Sequence, residues 1–236
     1  MEEPDPLKGK VVAVTGAFGQ LGAAVVQAAL EAGASVAALG HGAPPSDPKA
    51  LGGALALGGF DLAEPDAAAR ALDEVVAKLG RLDALVNVAG TFRSETVERG
   101  SLDTWDMLYR VNLRTAVSAS RAALPHLKRS QGGRIVNIGA AAAVAKAGAG
   151  MGAYTASKAG VLKLTEALAA ELKDHGITVN AILPSTIDTP ANRAGMPKAD
   201  FGKWVAPRDI ASVIVFLLSD DARAVTGALI PVSGRA

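Results

Sequence analysis

The stretch Lys10-Val11-Val12-Ala13-Val14-Thr15-Gly16-Ala17-Phe18-Gly19-Gln20-Leu21-Gly22 decides the fold. A β-branched apolar run, Val11–Thr15, leads directly into a glycine-rich turn. Small apolar residues of helical character follow over Leu21–Ala32. Strand, tight turn and helix in that order open a βαβ unit. In such a turn glycine lets the backbone approach a phosphate closely. The first amides of the helix add unpaired N–H groups and a partial positive charge suited to a pyrophosphate. The spacing Gly16-x-x-Gly19-x-x-Gly22 differs from the commoner Gly-x-Gly-x-x-Gly. A glycine-rich turn that binds nothing is the alternative.

Outward from this turn, short apolar runs alternate with longer helical patterns, as in a parallel α/β sheet. Strands are expected at Val11–Thr15, Ser35–Leu39, Gly58–Asp61, Ala84–Val88, Arg134–Ile138, Thr178–Leu183 and Ala228–Val232. Helices are expected at Leu21–Ala32, Pro65–Leu79, Leu102–Lys128 (mostly), Ala153–Lys173 and Arg208–Leu218, with Gly176 closing the fourth. The expected architecture is one doubly wound (Rossmann) α/β domain over residues 1–236, a seven-stranded parallel sheet with helices on both faces. Residues 1–8 read as an N-terminal tail. The long irregular stretch from about 184 to 207 reads as a substrate lid.

Composition narrows the chemistry. The chain has 236 residues, 50% apolar, with a net charge of +1 and no cysteine. Disulfide frameworks, thiolate nucleophiles and thiolate metal sites are therefore excluded. His41, His126 and His175 lie far apart, so no metal is expected. Near-zero charge offers no electrostatic footprint for nucleic acid or membrane. An acidic start and the lack of a long uncharged apolar run favour a cytoplasmic protein. A bound organic cofactor must then carry any redox chemistry.

Two further features bear on that cofactor. A dinucleotide site normally carries an acidic residue at the end of its second strand, for the adenosine ribose. Here that strand ends Leu39-Gly40-His41. The missing carboxylate removes one reason to prefer NAD and one source of repulsion against a 2′-phosphate, to which His41 could donate. Expectation tips towards NADP, with NAD the alternative. Tyr154 and Lys158 lie four apart and share a helix face. An ammonium beside a phenol lowers its pKa and makes it a usable acid–base at neutral pH. Ordinary helix amphipathicity is the competing explanation. Asn112 is a second polar residue in an apolar helical segment.

Taken in order, these features resemble the short-chain dehydrogenase/reductase family over nearly the whole chain. Asp61-Leu62, Asn87-Val88-Ala89-Gly90, Arg134–Ile138, Pro184–Thr189, Asp209-Ile210-Ala211, Phe216–Asp220 and Thr226-Gly227 all look like family segments. The resemblance implies NAD(P)-dependent oxidoreduction of a small-molecule substrate. Tyr154, Lys158 and Asn112 would be catalytic: proton exchange with substrate, a hold on the nicotinamide ribose, and placement of a relay water. Gly16, Phe18, Gly19, Gln20, Leu21, Gly22, Gly40 and His41 would serve the cofactor's phosphates and adenosine ribose. Asp61, Leu62, Asn87, Ala89 and Gly90 would serve the adenosine side, and Pro184, Ile187 and Thr189 the nicotinamide end. A homodimer or homotetramer through Leu102–Lys128 and Ala153–Lys173 is also implied.

One departure is informative. The family usually has a Ser after its fifth strand, whereas this chain reads Gly139-Ala140-Ala141-Ala142-Ala143. Dihydropteridine reductases show a narrower resemblance. They share the glycine spacing, the lack of that Ser, and segments like Gly150-Met151-Gly152 and Thr189–Phe201 with Trp204. They imply an electron-poor carbonyl or imine-like substrate. A general ketone or alcohol reductase of 3-oxoacyl type, and a cofactor-sensing protein without redox activity, are the alternatives. Halide elimination on the same fold is disfavoured, because related dehalogenases carry Arg where Lys158 stands.

Overall fold

Val12 and Val14 point to one side of the first strand, Val11–Thr15 (β1), and Val11 and Ala13 to the other, yet every residue of the strand is buried. Burial on both faces is the mark of a parallel sheet covered by helices twice over. In the computed structural model, which describes residues 5–235, that sheet has seven parallel strands in the order β3-β2-β1-β4-β5-β6-β7. The others are Ser35–Leu39 (β2), Leu55–Leu57 (β3), Ala84–Asn87 (β4), Arg134–Ile138 (β5), Thr178–Pro184 (β6) and Leu229–Val232 (β7).

Helices Gln20–Glu31 (α1) and Pro207–Leu218 (α7) cover the face carrying Val12, Val14, Val86, Val136 and Ile182. Pro65–Leu79 (α2), Thr115–Leu127 (α4) and Gly152–Leu172 (α5) cover the opposite face, with Ala13, Leu39, Leu85, Ile135 and Val179. The small residues read from the sequence are where helix meets sheet: Ala68, Ala71, Ala119 and Ala123 are fully buried.

Several expected boundaries shift for local reasons. The third strand is Leu55–Leu57 rather than Gly58–Asp61, because Gly59 adopts φ +81° and turns the chain away once Leu57 has paired with Leu39. The expected helix Leu102–Lys128 divides into Leu102–Leu108 (α3), a π-helical turn at Tyr109–Arg114, and α4. The expected tail also needs correction. Residues 1–4 lie outside the described residues, but Leu7 is fully buried and its N–H donates to Ala32 O at 2.9 Å, so residues 5–8 belong to the fold. The stretch 184–207 is partly regular, with a helix at Pro190–Gly195 (α6) and a 3₁₀ turn at Phe201–Lys203.

The strand order reverses between β1 and β4: the chain moves outward through β2 and β3, then returns to the other side of β1. Ligands of open α/β sheets bind outside the carboxyl ends of the strands at such a switch point. Thr15-Gly16 and Asn87–Gly90 lie there side by side.

Candidate active site

The crevice begins with a close approach of two backbones. Gly16 sits at φ +65°, and a Cβ on it would stand 2.8 Å from both Cα and N of Ala89. No other residue combines that conformation with that contact. Thr15, fully buried, fixes the approach from below: its Oγ1 accepts from the N–H groups of Val88 (3.1 Å) and Ala89 (3.2 Å). Gly22 is held as firmly, since a Cβ would run into the carbonyl oxygen of Gly16. Gly19 caps α1 in an ordinary extended conformation, and a Cβ there would meet only Gly16 O, at 3.4 Å. Gln20 begins α1 on the exposed side, whereas the Leu21 side chain turns into the core. No acidic residue stands in the first turn of α1, so its N-terminal charge is left for a ligand.

At the adenosine side, Gly40 is buried and His41 exposed. Asp61 accepts from the Ala63 N–H at 3.1 Å and from Arg110 at 2.7 Å. The Arg110 hydrogen bond is the main reason its carboxyl titrates below the usual range, with a smaller contribution from nearby His41. Leu62 points into the core. Asn87 does too: its Nδ2 donates to Ser120 Oγ (3.0 Å) and Asn137 Oδ1 (2.8 Å) beneath the sheet end. Only the backbones of Leu62 and Asn87 can therefore border a cofactor.

At the other end, Gly90, Asn112 and Lys158 converge. A Cβ on Gly90 would lie 3.1 Å from Asn112 Oδ1 and 3.2 Å from Lys158 Nζ. Asn112 sits in the π-helical turn, a feature frequent at functional sites. Its Oδ1 accepts from the Thr91 N–H at 2.7 Å, and its Nδ2 donates to Thr91 O (3.0 Å) and Ser157 Oγ (2.9 Å). Lys158 is 5% exposed, donates to Ile138 O at 2.8 Å, and is pulled down to about 8 by burial. Burial pushes the Tyr154 phenol up rather than down, contrary to the simple expectation of an ammonium beside it. The Phe92 ring stands edge-on to Tyr154, with centroids 5.0 Å apart and planes at 82°. After β5, Ala141–Ala143 form a 3₁₀ turn behind buried Ala140, and no hydroxyl occupies the stretch.

The segment after β6 folds over its own contacts. Pro184 ends β6, and Ile187 bridges to Val205. Thr189 Oγ1 caps α6 by accepting from the Asn192 N–H at 3.2 Å, while Asn192 Nδ2 donates to Ile187 O at 2.8 Å. Arg193 forks onto Asp188 (2.6 and 2.7 Å) and lies 4.9 Å over Phe201, which in turn packs on Trp204 at 4.8 Å.

A family model described as short chain dehydrogenase matches residues 10–199. The chain belongs to the short chain dehydrogenase family. It is 31% identical to a 3-oxoacyl-[acyl-carrier-protein] reductase of Thermotoga maritima over 97% of this chain and 98% of that protein. It is 36% identical to a D-threitol dehydrogenase of Mycolicibacterium smegmatis over 97% and 93% of the two chains. Among solved structures, a short-chain dehydrogenase/reductase from Serratia marcescens superposes with a TM-score of 0.89 at 32% identity, covering 98% of this chain and 100% of that one. The chain is accordingly an NAD(P)-dependent oxidoreductase. The residues at the turn are compatible with a dinucleotide: positions 16 and 22 have no room for a Cβ, and no acidic residue stands in the first turn of α1. Thr15, Phe92, Arg110 and Ser157 are structural participants that sequence patterns alone did not single out. Each acts through a contact between elements distant in the chain.

The buried Lys158 generates a stability prediction. Its pKa is about 8 in the fold against an ordinary 10.5, so below pH 8 folding carries the full penalty of burying a cation. That penalty fades as pH rises from about 8 towards 10.5. Lys158→Met should therefore raise the unfolding free energy of the cofactor-free protein at pH 7 by about 1–3 kcal/mol, with the gain vanishing near pH 10. Denaturant titrations at both pH values check it; equal or lower stability at pH 7 contradicts it.

Proposed function

We propose that the enzyme reduces a small electron-poor carbonyl or imine-like group with NAD(P)H, Tyr154 giving the proton. The observation that carries this reading is the meeting of Gly90, Asn112 and Lys158 at the mouth of the switch-point crevice, one helical turn from Tyr154. The nicotinamide, when bound, would supply hydride chemistry. Tyr154 Oη supplies the proton to the oxygen or nitrogen. Its burial-raised pKa keeps that proton on the phenol at neutral pH, as a donor requires. Lys158, freed from Ile138 O, holds the nicotinamide ribose and, when charged, steadies the phenolate that follows proton loss. Asn112, fixed by Thr91 and Ser157, sets the position of a relay water.

Gly16, Phe18, Gly19, Gln20, Leu21 and Gly22 line the phosphate and ribose end. Gly40, His41, Asp61, Leu62, Asn87 and Ala89 border the adenosine, and Pro184, Ile187 and Thr189 the nicotinamide; Gly90, which the family resemblance assigns to the adenosine side, lies instead against Asn112 and Lys158 at the catalytic end. The lack of a carboxylate at Gly40 and the exposure of His41 favour NADP over NAD. The alanines after β5 supply no hydroxyl to polarise a substrate carbonyl. Removing one such donor from an oxyanion hole costs about 3–4 kcal/mol of transition-state stabilisation, which an electron-poor ring of the pterin type tolerates best. The similarity to a 3-oxoacyl reductase and a threitol dehydrogenase favours a second reading, a carbonyl or alcohol substrate handled by the same groups.

The stretch 184–207 serves as lid, with Phe201 and Trp204 as its aromatic wall. We assign the enzyme to the cytoplasm, and to a homodimer or homotetramer joined through α3–α5. Leu102, Trp105 and Tyr109 share a face of α3 and the turn after it, and are 79%, 38% and 57% exposed. No helix of the described residues is long and apolar enough to cross a membrane.

Tyr154→Phe should lower turnover by about 10²–10⁴ while leaving cofactor affinity within a few-fold. NAD(P)H oxidation across a panel with quinonoid dihydropterin, ketones and 3-oxoacyl thioesters measures both the loss and the substrate class. Full activity in the variant would refute the proton-donor role. Sedimentation equilibrium should give two or four times 23.8 kDa, and a monomer at micromolar concentration would refute the assembly.

A further inference from the structure

Gly40 ends up buried beneath a side chain that comes from the glycine turn itself. A Cβ on Gly40 would collide with the Cδ2 and Cε2 atoms of the Phe18 ring and would lie 2.9 Å from its Cγ. The backbone leaves Gly40 little room to yield. Its N–H donates to Leu57 O at 3.0 Å, and beside it the Ala17 N–H donates to Leu39 O at 3.0 Å. Phe18 is half-buried and packs against the cluster formed by α1, α7 and the sheet. Its ring therefore fills the volume that a side chain at the end of β2 would use.

We propose that Phe18 determines how this enzyme takes the adenosine ribose. The ring interlocks with Gly40, excludes a carboxylate from the end of β2, and offers the ribose an apolar floor. The proposal deepens the NADP reading and rests on dinucleotide binding at this turn. Under it, the missing carboxylate is not a free choice at position 40 but is coupled to residue 18. Beside Gly40, His41 is exposed, and Asp61, close enough to His41 to feel its charge, is already bound to Arg110. A cofactor bearing a 2′-phosphate then meets no repulsion from position 40, and one bearing a free 2′-hydroxyl finds no acceptor there.

The interlock is tested by coupled substitution. Gly40→Ala and Gly40→Asp should each lower the melting temperature of the cofactor-free protein. Adding Phe18→Ala should make either substitution cost less than it does alone, a non-additive effect read without any cofactor. In calorimetry, Phe18→Ala/Gly40→Asp should bind NAD⁺ about tenfold more tightly than Gly40→Asp alone, as a ribose hydroxyl gains a carboxylate acceptor. Additive melting shifts, or equal NAD⁺ affinity for Gly40→Asp with and without Phe18, would overturn the proposal. The wild-type affinities for NADP⁺ and NAD⁺, measured alongside, judge the NADP reading separately. A preference for NAD⁺ there would refute that reading while leaving the melting coupling to decide the interlock.

Discussion

Everything at this site depends on how closely the turn after β1 approaches the turn after β4. Gly16 and Ala89 touch backbone to backbone, and the Thr15 hydroxyl stitches the second turn to the first strand. A side chain at position 16 would force the two strand ends apart at the point where the sheet order reverses. That would widen the crevice and tilt the start of α1 away from it. The contact also sets the far end of the site, because Gly90 follows Ala89 and lies against Asn112 and Lys158. One steric constraint thus joins the phosphate end to the catalytic end.

The electrostatics of the far end follow from burial rather than from pairing. Lys158 lies deep enough to lose much of its preference for the charged form, and its hydrogen bond to Ile138 O offsets part of that loss. Tyr154 is shifted in the opposite sense, towards holding its proton. Both shifts favour the neutral forms, and both arise from burial. The Phe92 ring packs edge-on against the Tyr154 ring.

Much of this was legible in the sequence. Runs such as Val11–Thr15 and Arg134–Ile138 are strands because nothing but a doubly covered sheet accommodates them, and their limits agree with the structure residue for residue. Glycine spacing placed the crevice, and the interval from Tyr154 to Lys158 placed them on one face. What escaped depended on partners far along the chain. Leu7 looked like part of a tail because its partners in the α1–α7 core come from distant segments. The third strand begins three residues before the run Gly58–Asp61, because the positive φ of Gly59 turns the chain out of the sheet ahead of Phe60. Asp61 matched a family position, yet its tie to Arg110 could not be read from either residue. Nor could the reason for Gly40, which lies in the ring of Phe18.

On the reading proposed above, the dinucleotide binds in the crevice at the ends of β1 and β4, with its nicotinamide end towards Tyr154 and Lys158. Hydrogen–deuterium exchange of the full chain with and without saturating NADP⁺ or NAD⁺ tests it most directly. Peptides covering residues 15–22, 87–92 and 154–158 should gain protection together, while the β3 edge away from residue 61 and the start of α7 stay unchanged. Protection confined to other segments, or none at saturating cofactor, would exclude binding at this crevice.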